Sequence, residues 1–252
     1  MAGHSKFKNI MHRKGAQDAK RAKIYTKIGR EITISVKTSG PDAGSNPRLR
    51  AAIINARASN MPNDRIKRAM DAGLGSADSD NYVEVRYEGY GPGGVAIIVD
   101  TLTDNKNRTA GDVRAAFSKY DGNLGETNSV NFMFDRVGEI LYPLTVGSFD
   151  AVFEAAVEAG ADDCAEDEAH FIITTSPNAL GAVRDALHAK LGDAEKTGMI
   201  WRPLTPAPVT DEDIAKTLMK LIDVLEDNDD VQEVTTNLEM DEQLLAKLGA
   251  SS

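Results

Sequence analysis

The chain of 252 residues is long enough for two or three compact domains, and its 41% apolar and 27% charged content is that of a globular protein, not of a disordered one. A lone cysteine, Cys164, excludes an internal disulfide framework and a thiolate metal cage. The net charge of −10 hides a division: residues 1–75 hold 16 Lys and Arg against 5 Asp and Glu, residues 76–146 hold 6 against 11, and residues 147–252 hold 7 against 23. A basic head joined to an acidic body suggests a polyanionic partner for the head. Mutual neutralisation of the two parts is the plainer alternative.

The longest apolar run, Val95 to Val99, is far too short to span a bilayer, and Met1 to Asn9 lack the apolar core of a secretory signal, so the expected compartment is the cytosol. The densest cation run follows at once: Lys6, Lys8, His12, Arg13, Lys14, Lys20, Arg21, Lys23, Lys27 and Arg30 are opposed only by Asp18. Such a run repels itself unless a counter-charge is present, which phosphates supply. These residues are the candidate nucleic-acid contacts. Phe7 among them can stack on a base or bury.

From Gln17 to Lys37 a turn of about 100° per residue gathers Ala22, Ile24, Tyr25, Ile28, Ile32 and Val36 on one face. Lys20, Lys23, Lys27, Arg30 and Lys37 gather opposite, with Arg21 and Ile34 breaking the pattern. The spacing predicts a helix with one buried and one cationic face. Thr38 to Asn46 is turn chemistry; it supplies Asn46 as N-cap and Pro47 as first residue of a second helix, to about Asn60. A third helix, opened by Pro62 and ended by Gly73, carries Arg65, Lys67 and Arg68. Gly73 to Asn81 reads as a linker.

Beyond it the period becomes strand-like. Val83, Val85 and Tyr87 alternate with charges, and Val95 to Leu102 form a nearly continuous apolar strand. The loop between, Gly89, Tyr90, Gly91, Pro92, Gly93 and Gly94, has the glycine spacing of a dinucleotide fingerprint. That chemistry needs a helix N-terminus directly after the loop, and here a strand follows, while Pro92 lacks a donor. A nucleotide cofactor is excluded there; a structural turn or a partner-contacting loop remains. Asn105 to Tyr120 is a helix with Ala110, Val113, Ala116 and Phe117 inward, and a strand is expected at Ser129 to Phe134. Lys106, Asn107 and Arg108 at the start of that helix oppose its dipole. Either they hold an anion with the amides, or a carboxylate such as Asp104 or Asp112 neutralises them.

A second α/β unit reads as a strand at Gly138 to Tyr142, a helix from Ser148 to Gly160, a strand at His170 to Thr175, a helix from Pro177 to Leu191 and a strand at Met199 to Trp201. Thr210 and Asp213 resemble a capping box before the stripe Ile214, Leu218, Leu221, Ile222 and Leu225, and Val231 to Leu238 has strand content. The expected fold class is α+β in three domains, a basic helical domain and two α+β sandwich domains with the third inserted into the second. The boundaries are 1–79, then 80–135 with 206–240, then 136–205, and a C-terminal tail at 241–252. Among the histidines His4, His12, His170 and His188 no pair has zinc-protease spacing. The acids around Cys164, from Asp162 to Glu168, would suppress its thiolate, so a Cys164–His170 nucleophile is disfavoured. No metal, cofactor, small-molecule substrate or enzymatic activity is expected.

Taken together, Ala2-Gly3-His4-Ser5-Lys6-Phe7, His12-Arg13-Lys14, Gln17-Asp18-Ala19-Lys20-Arg21, Asn46-Pro47-Arg48-Leu49-Arg50 and Asn60-Met61-Pro62 resemble the YebC family. So do Tyr87-Glu88-Gly89-Tyr90-Gly91-Pro92-Gly93-Gly94, Thr103-Asp104-Asn105-Lys106-Asn107-Arg108-Thr109 and Gly122-Asn123-Leu124-Gly125. The family often has Trp where this chain has Phe7. The resemblance implies a three-domain, non-enzymatic, cytoplasmic regulator of transcription that binds DNA. Because the first motif begins at residue 2, a bacterial member is expected. The family's mitochondrial relatives are translational activators of a respiratory oxidase subunit, which keeps ribosomal RNA as the alternative target.

Overall fold

A computed structural model describes residues 17–75 and 82–250. The protein mixes helices with antiparallel sheets, a helical front preceding the sheet-containing portions. Its contacts divide it into two compact units. One holds the described parts of Met1–Lys27, Asp80–Asp135 and Pro203–Ser252; the other holds those of Ile28–Ser79 and Arg136–Arg202.

Helix α1 spans Gln17–Ser39, α2 Pro47–Ala58 and α3 Asn63–Leu74. The α1–α2 corner rests on Asn46. Its side-chain oxygen accepts from the Leu49 amide at 3.0 Å, capping α2, while its amide nitrogen donates to the carbonyls of Ser35 and Gly40 at 2.8 Å each. One buried side chain thus ends one helix and starts the next. Helix α3 lies close to α1 at Gly73, where an added Cβ would sit 2.6 Å from the Thr33 carbonyl oxygen and 2.7 Å from Val36 Cβ. Gly73→Ala must therefore push two helices apart. The expected loss is about 1–3 kcal/mol, read as a lower urea midpoint at unchanged slope; an unchanged midpoint would show that the approach is not tight.

The buried face of α1 is shorter than its periodicity predicts. Ile32 and Val36 are buried, but Ile24 is 42% exposed and Ala22 is exposed too.

In the second unit, strands β4 (Phe134–Pro143), β5 (Asp163–Glu166), β6 (His170–Thr175) and β7 (Lys196–Pro203) form a sheet ordered β5-β6-β4-β7. Helices α5 (Phe149–Ala159) and α6 (Leu180–Leu191) contribute Val152, Ala155, Ala156, Val183 and Leu187 to a core with Ile140, Tyr142, Phe171 and Ile173 of the sheet. Ser148 caps α5 and Gly160 ends it in the left-handed region, as the sequence pattern predicts. The helical front bonds to strand β7 and to helix α6 of this unit. The Asn55 side chain both donates to and accepts from the Thr197 backbone at 3.2 Å, and Arg50 binds both Asp185 oxygens at 2.8 Å.

In the first unit, β1 (Val83–Tyr90) and β2 (Ala96–Thr103) form an antiparallel hairpin from Val83↔Thr103 to Tyr90↔Ala96. The two-residue strand β3 (Asn123–Leu124) flanks β1, and β9 (Val231–Thr236) flanks β2, giving the order β3-β1-β2-β9. Helices α4 (Lys106–Lys119) and α7 (Glu212–Asp227) share a core with the sheet: Ile97 and Val99 meet Val113 and Phe117, and Leu218, Leu221 and Leu225 complete it. A short parallel pair, β8 (Ala207–Pro208) with β10 (Leu238–Glu239), lies outside this sheet.

Two local expectations are corrected. No strand occupies Ser129 to Phe134: a 3-10 turn spans Asn131–Met133 and β4 starts at Phe134. The reason is the buried Glu88 carboxylate, which accepts from the Val130 and Asn131 amides at 3.0 Å each and so removes those donors from any ladder. The cap of α7 is Asp211, not Thr210; its carboxylate accepts from the Asp213 and Ile214 amides at 2.9 Å. Finally, the expected C-terminal tail is described over residues 241–250. They contain helix α8 (Glu242–Ala250), whose Leu244, Leu245 and Leu248 are buried in the first unit's core.

Candidate nucleic-acid interface

The sequence places its candidate cations mostly before residue 30. Lys6, Lys8, His12, Arg13 and Lys14 lie outside the described residues, and so does the side chain of Lys20. Arg21 is exposed on α1 and Arg30 is half-buried.

Lys23 and Lys27 are where the helical wheel misleads. Instead of forming an outward cationic arc, both reach the C-terminus of α7. Lys23 Nζ lies 2.7 Å from Asp227 Oδ1 and 3.3 Å from the Asp227 carbonyl oxygen, and Lys27 Nζ donates to the Glu226 carbonyl at 2.8 Å. A helix C-terminus presents unpaired carbonyls and partial negative charge, which two ammonium groups satisfy. Burial lowers the Lys27 pKa, with the Glu226 charge acting the other way. The acidic run from Glu226 to Asp230, directly after a helical stripe, is the sequence signal that could have identified these partners.

Other head cations are also held internally. Arg48 grips Glu31 with two bonds at 2.6 and 2.9 Å, Arg50 binds Asp185 and the carbonyls of Ala43 and Gly44, and Arg68 pairs with Asp64 one turn earlier. The side chains of Arg57, Arg65, Lys67 and Arg68 face solvent on α2 and α3. Helix α3 turns Ile66 and Gly73 inward and Arg65, Lys67 and Arg68 outward, so its amphipathic pattern sets its cationic face.

At the start of α4 the structure favours a carboxylate partner for Arg108. Its guanidinium lies 2.7 Å from both Asp104 and Asp230. Asp230, whose side chain is 4% exposed, also accepts from Thr109 at 2.8 Å and Thr103 at 3.2 Å. Hydrogen bonding to Asp230 foremost, then to Asp104, raises the Arg108 pKa and keeps it charged. Lys106 stays exposed, its carbonyl accepting from the Tyr87 hydroxyl at 3.3 Å. Asn105 caps the helix through the Arg108 amide.

The glycine loop joins β1 to β2 through a 3-10 turn at Pro92–Gly94, so no helix receives it. Gly91 is buried, an added Cβ lying 2.7 Å from Leu218 Cδ1. The Tyr90 hydroxyl turns to the Ser129 carbonyl at 3.4 Å, and Gly93 and Gly94 face solvent.

Cys164 and His170 do not form a catalytic pair. Cys164 on β5 is opposite Ile173, three residues along β6 from His170, which puts the two about 10 Å apart along the strand direction. Burial is the main cause pushing the Cys164 thiol up, ahead of Asp163, so desolvation outweighs the acidic field that the sequence suggests.

An interrupted sheet unit, an inserted second sheet and a three-helix front define a multidomain α+β protein. The comparisons identify its kind. Residues 5–76 match the model of the TACO1/YebC protein N-terminal domain, and residues 82–238 match that of the TACO1/YebC second and third domain. The chain belongs to the TACO1/YebC family. Among solved structures it is similar to a conserved hypothetical protein, Aq1575, from Aquifex aeolicus, at 40% identity and a TM-score of 0.83, covering 91% of this chain and 95% of that one.

Proposed function

We propose that the protein is a cytoplasmic bacterial regulator of gene expression that binds DNA through its basic helical front, acting on transcription without catalysis. The observation that carries this reading is the excess of 16 cations over 5 acids in residues 1–75, with Arg21, Arg57, Arg65, Lys67 and Arg68 at the surface. Membership of a family of regulators supports it, as does the acidic remainder, which limits indiscriminate adhesion to nucleic acid. Lys106 adds a cation outside the front; Arg108, engaged by two carboxylates, is a weaker contributor. Gly93 and Gly94 are the portion of the glycine loop open to a partner. Among the described residues no helix is long and apolar enough to cross a membrane.

Fluorescence anisotropy with a labelled duplex tests the reading. Binding is expected to weaken steeply between 50 and 200 mM salt, by about 0.9 log unit per log unit of salt for each phosphate neutralised. Salt-independent binding, or none, would sink it. Sedimentation of lysate through sucrose at low and high salt decides the target. A salt-labile peak with ribosomal particles, without preference for any duplex, replaces transcription by translation.

A further inference from the structure

The Lys23–Asp227 and Lys27–Glu226 contacts hold two lysines of the very segment that would meet phosphates. We propose that the acidic end of α7 is an internal stand-in for phosphate, a latch that a polyanion must displace to engage Lys23 and Lys27. The inference rests on the nucleic-acid reading above and concerns the regulation of that surface.

The latch has the chemistry of the ligand that it excludes. Asp227 offers a carboxylate oxygen and a carbonyl to one ammonium, and Glu226 offers a carbonyl to the other. Asp229 adds further negative potential at Lys27. Both partners of the ion pair are open to water: the side chains of Lys23 and Asp227 are 39% and 73% exposed. Exposed pairs of this kind are weak and screened by salt. A phosphodiester arriving at the helix can therefore exchange for Asp227 without opening a core. Lys27 is the more buried of the two, and burial already lowers its pKa, so the second exchange is harder than the first.

The test compares the intact chain with Asp227→Asn and with Asp121→Asn, which removes the same charge from an exposed turn. The probe is a fluorescein-labelled 20-base-pair duplex titrated across salt. Asp227→Asn is expected to bind roughly 3- to 10-fold more tightly, with a salt slope steeper by up to about 0.9, the increment of one further phosphate contact. Asp121→Asn is expected to shift affinity by less than about twofold, because the Lys23 and Lys27 contacts do not involve it. In a Lys23→Gln, Asp227→Asn double variant the steeper slope should vanish. Amide exchange over residues 21–28 should quicken when duplex is added to the intact chain. If Asp227→Asn binds like the parent with the same slope, the latch is overturned while the DNA-binding reading stands. The latch also falls if Asp227→Asn loses binding together with melting temperature, because the contact is then structural. If the intact chain binds no duplex, both fall together.

Discussion

A chain ended after Met240 is expected to lose the cooperative fold of its first unit. Helix α8 places Leu244, Leu245 and Leu248 in the same core as Leu218, Leu221 and Phe117. Burying a leucine is worth about 1.5–3 kcal/mol, so removing three forfeits roughly 5–9 kcal/mol, an upper range because unfolded chains are already partly collapsed. That compares with a whole stability of about 5–15 kcal/mol for a typical domain. Circular dichroism during urea titration should show an early transition for the truncated chain. A milder variant, Leu245→Ala, should lose about 2–5 kcal/mol. A truncated protein that melts with the parent would mean that α8 lies on the core without supporting it.

Reversing three front cations, Arg57→Glu, Arg65→Glu and Lys67→Glu, is expected to abolish duplex binding at physiological salt while leaving the melting curve in place. Each substitution removes a solvent-facing cation and adds an anion. If all three contact phosphates, the salt slope falls by about 2.7, three times the increment for one contact on duplex DNA. Replacing Lys23 and Lys27 has a different signature, because those side chains satisfy the end of α7. Lys27→Gln should lower the melting temperature, as loss of a helix C-terminal charge and a half-buried hydrogen bond requires. Full binding by the triple variant with an unchanged slope would remove the α2–α3 face from the interface.

Much of the fold was legible from local signals. Asn46 with Pro47, Ser148 with Gly160, and the apolar run from Val95 to Leu102 each act through the chain's own neighbours, so their elements stand where the pattern predicts them. The missing strand and the C-terminal helix share a cause. Glu88 removes the Val130 and Asn131 donors from 42 and 43 residues away, and α8 buries leucines supplied to a core assembled from distant segments. No window of sequence contains those partners. The site was legible as a composition but not as a surface. Charge counting identified the basic front, yet which cations face water depended on Glu31, Asp185 and Asp227, acids that periodicity does not pair with them.

The bond between Asn55 and Thr197 has one more consequence. β7 is the last strand of its sheet, and the carboxamide of Asn55 occupies the backbone donor and acceptor of Thr197, one of the residues a neighbouring strand would pair with. One side chain of the helical front therefore blocks pairing with another chain at that position of an otherwise adhesive border. Loosening α2 frees that position, and a raised tendency to self-associate is the expected result.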